Sequence, residues 1–204
     1  MGMKCAVPLL FCATAALAEP SYTRVIGVAM DDTLNIRSAP SASSDDIGDL
    51  APDARGIEVT GLDGTGDWAR IGVGEINGWV AARFLEPDQM QTFAKSAVPH
   101  GVFCQGTEPF WGLGLYETDA VYSNPDDGDI ALTLDSVTIA QGRLGSPALF
   151  TLSSAANDAI EATIIGATCS DGMSDRTYGW TVTLQHRAPG SQRFLTGCCS
   201  LPRD

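Results

Sequence analysis

The sequence predicts an all-β protein, a small barrel followed by a larger antiparallel β-barrel or sandwich that carries disulfides. Three observations support this. Past the first 18 residues, no window of a dozen residues keeps apolar side chains at i, i+3, i+4 and i+7, so no amphipathic helix is expected. Short alternating segments bounded by Gly, Asp, Asn and Pro recur from Tyr22 onward, the pattern of half-buried strands. Four of the six cysteines, Cys104, Cys169, Cys198 and Cys199, lie in the second half of the chain.

Residues 1–18 are expected to leave the mature protein. Met1-Gly2-Met3-Lys4 is a short basic start, and Cys5 to Ala18 is an apolar run ending in Ala16-Leu17-Ala18. These are the three parts of a secretory signal peptide with cleavage after Ala18, and the run is shorter than the ~20 residues a membrane span needs. Cys12 could instead carry a lipid, but bulky Phe11 precedes it where a small residue is preferred. The protein is therefore expected in the periplasm or secreted, and not as an integral membrane protein. In that compartment an even number of cysteines points to disulfides. A bridge between the adjacent Cys198 and Cys199 would be strained. Each is expected to reach back separately, one to Cys104 and one to Cys169.

The formal net charge is −13. Such a surface repels phosphate backbones and anionic lipid headgroups, so nucleic acid is not an expected partner.

The first domain is expected over 19–87. Its strands are read at Val25 to Val28, Leu34 to Arg37, Ile47 to Leu50, Gly56 to Gly61, Trp68 to Val73 and Trp79 to Ala82. Asn77-Gly78 reads as a two-residue hairpin turn, since both residues tolerate positive φ. Leu34-Asn35-Ile36-Arg37-Ser38-Ala39-Pro40-Ser41 resembles the L-N-[VI]-R-x-x-P-[ST] signature of bacterial SH3-type (SH3b) domains. Ile47-Gly48-x-Leu50, the strand around Trp68, and Asn77-Gly78-Trp79-Val80 follow in the same order. The resemblance implies a small barrel that engages cell-wall peptide, glycan or a protein partner. Tyr22, Arg37, Trp68 and Trp79 are the candidate groove residues, because aromatic rings offer flat, low-entropy surfaces to peptides and sugars. Against that reading, a domain this small needs its few aromatics for its core.

Residues 88–99 read as a polar linker with a helical turn near Met90 to Lys95. The second domain is expected over 100–204. Trp111, Leu113 and Leu115 alternate, as do Ile130, Leu132 and Leu134, and Trp180, Val182 and Leu184. Its Cys104-Gln105-Gly106-Thr107-Glu108-Pro109-Phe110-Trp111, Cys169-Ser170-Asp171-Gly172-Met173-Ser174-Asp175-Arg176 and Gly197-Cys198-Cys199 motifs resemble a family of uncharacterised bacterial envelope proteins. That resemblance implies no activity.

No catalytic centre is expected. Glu108 beside Phe110 and Trp111 lacks a second carboxylate, and Asp171 to Asp175 lacks the full calcium-loop pattern. The cysteines with His100 or His186 show no C-x-x-C spacing, so neither metal nor cofactor is expected. The leading expectation is an envelope binding protein with peptidoglycan or an envelope protein as partner. The alternatives are an inhibitor of lysozyme-like enzymes, or a stress-response protein, acting through the loop from Thr107 to Phe110, and an enzyme with an unrecognised site in the second domain.

Overall fold

The computed structural model describes residues 20–201, all β but for one short turn of 3₁₀ helix. The expected signal segment, its cleavage point after Ala18 and Cys12 lie outside the described residues.

The first unit contains β1 (Ser21–Val25), β2 (Leu34–Arg37), β3 (Asp46–Leu50), β4 (Ile57–Leu62), β5 (Trp68–Val73) and β6 (Ile76–Ala81). The 3₁₀ turn Ala82–Phe84 and β7 (Leu85–Pro87) complete it. They form one sheet in the order β3-β2-β6-β5-β4-β1-β7. Its core is aliphatic: Val25, Leu34, Ile36, Leu50, Ile57, Val59, Ala69, Ile71 and Val80. The first strand ends at Val25 and does not take in Ile26 and Val28.

The expected turn at Asn77-Gly78 is displaced. Val73 pairs with Ile76, so the two turn residues are Gly74 and Glu75, and Asn77 and Gly78 lie inside β6. Gly74 has φ of 54°, the conformation a tight hairpin demands at its first central position. Gly78 is there for packing: a Cβ on it would stand 2.4 Å from Ile36 Cγ2 and 2.8 Å from Val73 Cγ2.

The second unit is a closed barrel rather than a sandwich. It runs β8 (Phe103–Thr107), β9 (Phe110–Leu115), β10 (Asp119–Asn124), β11 (Gly128–Ile139), β12 (Ala148–Ser153), β13 (Ala159–Cys169), β14 (Tyr178–Ala188) and β15 (Ser191–Ser200). Each strand pairs antiparallel with the next, and β15 returns to β8. Closure removes the free edges that an open sheet would expose. Of the expected alternating sets, Trp111, Leu113 and Leu115 and Trp180, Val182 and Leu184 enter one core; of Ile130, Leu132 and Leu134 only Leu132 is fully buried, the other two packing against the core from its edge, and Phe150 and Leu152 of β12 complete it.

Two disulfides hold the closing seam. Cys104 of β8 and Cys199 of β15 are directly opposed and bonded, with Cα atoms 3.9 Å apart. Cys198, the neighbouring residue, bonds Cys169 at the end of β13. Adjacent strand residues point to opposite faces, so Cys198 and Cys199 reach different partners without sharing a bridge.

Residues 88–99 contain no helical turn. A bridge between Thr92 and Pro99 folds the segment back on itself, with Lys95 at φ 62°. Phe93 and Val98 enter the barrel core, and the Phe93 ring meets Phe150 edge-on at 5.0 Å. The polar composition hid two apolar anchors, and burying them favours a compact reversal over a solvated helix.

The two units touch through polar groups. Glu58 on β4, 7% exposed, accepts the backbone N–H of Gly179 (2.9 Å) with one carboxylate oxygen and that of Leu201 (3.0 Å) with the other. The Asn77 amide donates to the carbonyl of Asp175 (2.7 Å) and accepts the N–H of Thr177 (2.9 Å). Trp180 Nε1 donates to the Tyr22 hydroxyl at 2.8 Å.

Candidate functional site

The four candidate groove residues separate into two groups. Tyr22 faces the barrel, where its ring packs against the barrel core. Burial, reinforced by the nearby Glu58 carboxylate, pushes its hydroxyl well above the ordinary tyrosine range. It is a contact between the units and does not belong to an open face.

Trp68 and Trp79 are absent from the aliphatic core of the first unit, although a domain this small would be expected to use them there. On β5 the core side chains are Ala69 and Ile71, so Trp68 and Arg70 project from the opposite face, which Arg176 of the second unit covers only at Gly72. On β6, Val80 is buried and Trp79 projects likewise. Trp79 stands opposite Arg70 on one side and opposite Arg37 on the other. Trp68 stands opposite Ala81, one diagonal step from Trp79. The result is two partly exposed tryptophans on the outer face, with Arg37 and Arg70 at the flanking register positions; the Arg70 guanidinium itself donates to the Thr60 hydroxyl (3.2 Å) and carbonyl (3.1 Å). Arg37 is anchored at the same time: its Nη1 donates to the Ser44 carbonyl at 3.2 Å and lies 3.8 Å from Asp46.

In the second unit the three sequence motifs converge. Gly106 and Gly197 leave room for the Trp111 indole. A Cβ on Gly106 would fall 2.1 Å from Trp111 Nε1, and one on Gly197 would fall 2.0 Å from the Gln105 carbonyl. The cysteines of the same motifs supply both disulfides. Much of the motif content is therefore packing.

Beside this packed region lies a cleft of about 550 Å³, bounded by β8, β9, the end of β10, the loop from Asp171 to Tyr178 and Glu75 of the first unit. A polar chain lines it. Gln105 Nε2 donates to the Tyr178 hydroxyl (3.1 Å), which donates to Asp171 (2.9 Å). Asp171 also accepts the N–H groups of Met173 (3.1 Å) and Ser174 (2.9 Å) and the Ser174 hydroxyl. Burial raises its pKa, but these hydrogen bonds outweigh burial and hold it below the ordinary carboxylate range. Tyr178 moves the other way, raised chiefly by burial. Asp171 caps its own turn, and its oxygens are filled by protein donors rather than open to a calcium ion.

The remaining candidates are dispersed. Glu108 is exposed in the two-residue turn between Thr107 and Phe110. His186, 3% exposed inside the barrel, pairs with Asp158 at 3.0 Å, and Asp158 also accepts the Ser154 hydroxyl at 2.8 Å. His100 meets the Phe93 ring edge-on, with centroids 4.5 Å apart. Among the described residues no three His, Cys, Asp or Glu side chains are grouped to hold a metal ion. No helix among them is long and apolar enough to cross a membrane. Sequence reasoning missed the cleft as a whole, because its walls come from five separated segments. The doubled motifs at Cys104 and Cys169 were the only signal of it.

Comparison with known proteins finds no match among curated proteins and none among solved structures. The likeness drawn for the second unit therefore stands without support from these searches. Residues 32–86, the stretch from just before β2 into β7 that carries Trp68 and Trp79, match the family model of the bacterial SH3 domain.

Proposed function

We propose that this is an exported, non-catalytic binding protein of the cell envelope, and that its Trp68–Trp79 face engages peptidoglycan. A bacterial SH3 domain points to binding of the cell wall or of a protein, and the paired disulfides fit a location outside the cytoplasm. The observation that carries the finer reading is the placement of Trp68 and Trp79. Two large rings kept out of the core at diagonal positions on one face offer a stacking platform to a sugar ring or peptide.

Residues 22–87 hold eleven acidic and five basic side chains, so bulk attraction to an anionic wall is not the source of binding. Stacking and local hydrogen bonds are, and pelleting with sacculi should change little with added salt.

The absence of catalysis is supported by the state of the reactive groups. The four described cysteines are closed in bridges, Asp171 is saturated with donors, and His186 is committed to Asp158. The inhibitor reading gains nothing from the geometry. Thr107 pairs with Phe110, leaving a two-residue turn that is too short to reach into an enzyme cleft.

Co-sedimentation of the chain from Glu19 with purified sacculi tests the proposal. Wild type should pellet, and Trp68→Ala or Trp79→Ala, with folding checked by circular dichroism, should stay in the supernatant. No pelleting by wild type, or equal pelleting by both variants, would overturn it. The whole chain is needed because the barrel covers Tyr22 and Glu58.

A further inference from the structure

We propose that the cleft on the barrel wall is a second binding site, separate from the tryptophan face, and that it receives an extended basic segment of a protein partner. The inference does not rest on the wall-binding reading.

Its first support is the rim. Phe103, Phe110 and Met173 are 37%, 55% and 66% exposed, and all three border the same cleft. Scattered exposed apolar side chains are ordinary, but three around one concavity of about 550 Å³ form the apolar, aromatic and thioether-rich surface typical of protein contacts. Met173 adds an adaptable surface that can repack around a partner.

The second support is charge. The lining carries the carboxylates of Glu75 and Asp171 and no basic side chain. Asp171 is held ionised by its donors. Glu75, at the tip of the β5–β6 turn, forms no ion pair among the described residues. Arg176 close by does not line the cleft: its guanidinium lies over the Tyr178 ring, 4.7 Å from the centroid, and donates to the Gly74 carbonyl (3.4 Å) and the Ser200 hydroxyl (3.1 Å) at the junction between the units. An anion entering the cleft meets two negative groups, whereas a lysine or arginine side chain meets an unpaired Glu75. The chain's net charge of −13 extends the same preference to long range by steering basic partners toward the surface.

The third support is unused hydrogen-bonding capacity suited to a peptide backbone. Asn124 is 6% exposed in the cleft wall; its Oδ1 accepts the N–H groups of Asp126 and Asp127, and its Nδ2 has no acceptor among the described residues. Gln105 spends its Nε2 on Tyr178 and keeps its carbonyl oxygen for a donor. A small polyamine would leave the aromatic rim and the Asn124 donor unused; an extended peptide meets both and presents its cation to Glu75.

The test uses the chain from Glu19 and two blocked heptapeptides, Ac-AVKFKVA-amide and its acidic counterpart Ac-AVEFEVA-amide. Titration is followed by amide chemical shifts in two-dimensional NMR. The basic peptide should bind with Kd below about 1 mM and shift Glu75, Phe103, Gln105 and Met173, while Trp68 and Trp79 stay in place. The acidic peptide should not bind. Glu75→Gln, at an exposed turn, should weaken binding by about two- to fivefold, the scale of one exposed charge pair. Trp68→Ala should leave it unchanged. Equal binding of the two peptides, absence of binding, shifts confined to another surface, or an unaltered Kd in Glu75→Gln would each overturn the proposal.

Discussion

Glu58 is the strongest single connection between the two units, and removing its carboxylate should separate their unfolding. Its two oxygens accept from Gly179 N–H at 2.9 Å and Leu201 N–H at 3.0 Å in a site where the residue is 7% exposed. Hydrogen bonds to a charged group contribute about 1.5–3 kcal/mol each, which puts their sum at roughly 3–6 kcal/mol. Glu58→Gln keeps one acceptor, now neutral, and loses the other, so a loss of about 2–4 kcal/mol is expected. Glutamine keeps the shape but turns one acceptor into a donor facing a donor. The remaining contacts of Asn77 and Tyr22 with the barrel resist full separation, so Asn77→Ala should be combined with it. The assay is urea unfolding followed by tryptophan fluorescence and by circular dichroism. Each unit has its own reporters, Trp68 and Trp79 in one and Trp111 and Trp180 in the other. Wild type should give coincident curves and a single transition; the double variant should give two. Two transitions in wild type, or a double variant within about 0.5 kcal/mol of wild type, would refute the reasoning.

Gly197→Ala should destabilise the barrel by about 3 kcal/mol or more, because its Cβ would fall 2.0 Å from a backbone carbonyl and cannot be relieved by a rotamer change; thermal unfolding measures this. The bridges span 95 and 29 residues, so the chain-entropy relation gives roughly 4.7 kcal/mol for Cys104–Cys199 and roughly 3.6 kcal/mol for Cys169–Cys198. The paired alanine variants should rank in that order in urea. At Asp158, burial raises the pKa, but hydrogen bonds from Ser154 and His186 bring it below the ordinary value. Its contribution is therefore complete above about pH 3.9 and lost as pH falls through the lower folded value. The Tm difference between wild type and Asp158→Asn should shrink as pH falls below about 4.

The barrel was legible because its period-2 alternation is long and uninterrupted: Trp180, Val182 and Leu184 could face only one way. That Cys198 and Cys199 bridge to separate partners followed from their adjacency; that Cys199 takes Cys104 and Cys198 takes Cys169 depends on strand register and did not. The turn was misplaced because glycine serves two purposes. Gly78 looks like a turn residue next to Asn77, yet it is small because Ile36 and Val73 crowd it, while Asn77 is spent on Asp175 and Thr177. Those are contacts across about a hundred residues, which no local pattern records. The same holds for Tyr22, an aromatic that resembles a groove residue until the Trp180 indole is seen to donate to it. The cleft was invisible for a related reason, since Glu75 and Asp171 are brought together only by the docking of the two units.

Phe93 and Val98 assign the inter-domain segment to the barrel, which changes where the protein divides into heritable parts. A gene rearrangement that cut at the polar stretch after Pro87 and moved only the downstream strands would leave Phe150 facing an open mouth. The exchangeable cassette is therefore the barrel together with its leading dozen residues. A shuffled descendant keeping the barrel should keep an aromatic at the position of Phe93, whatever module precedes it.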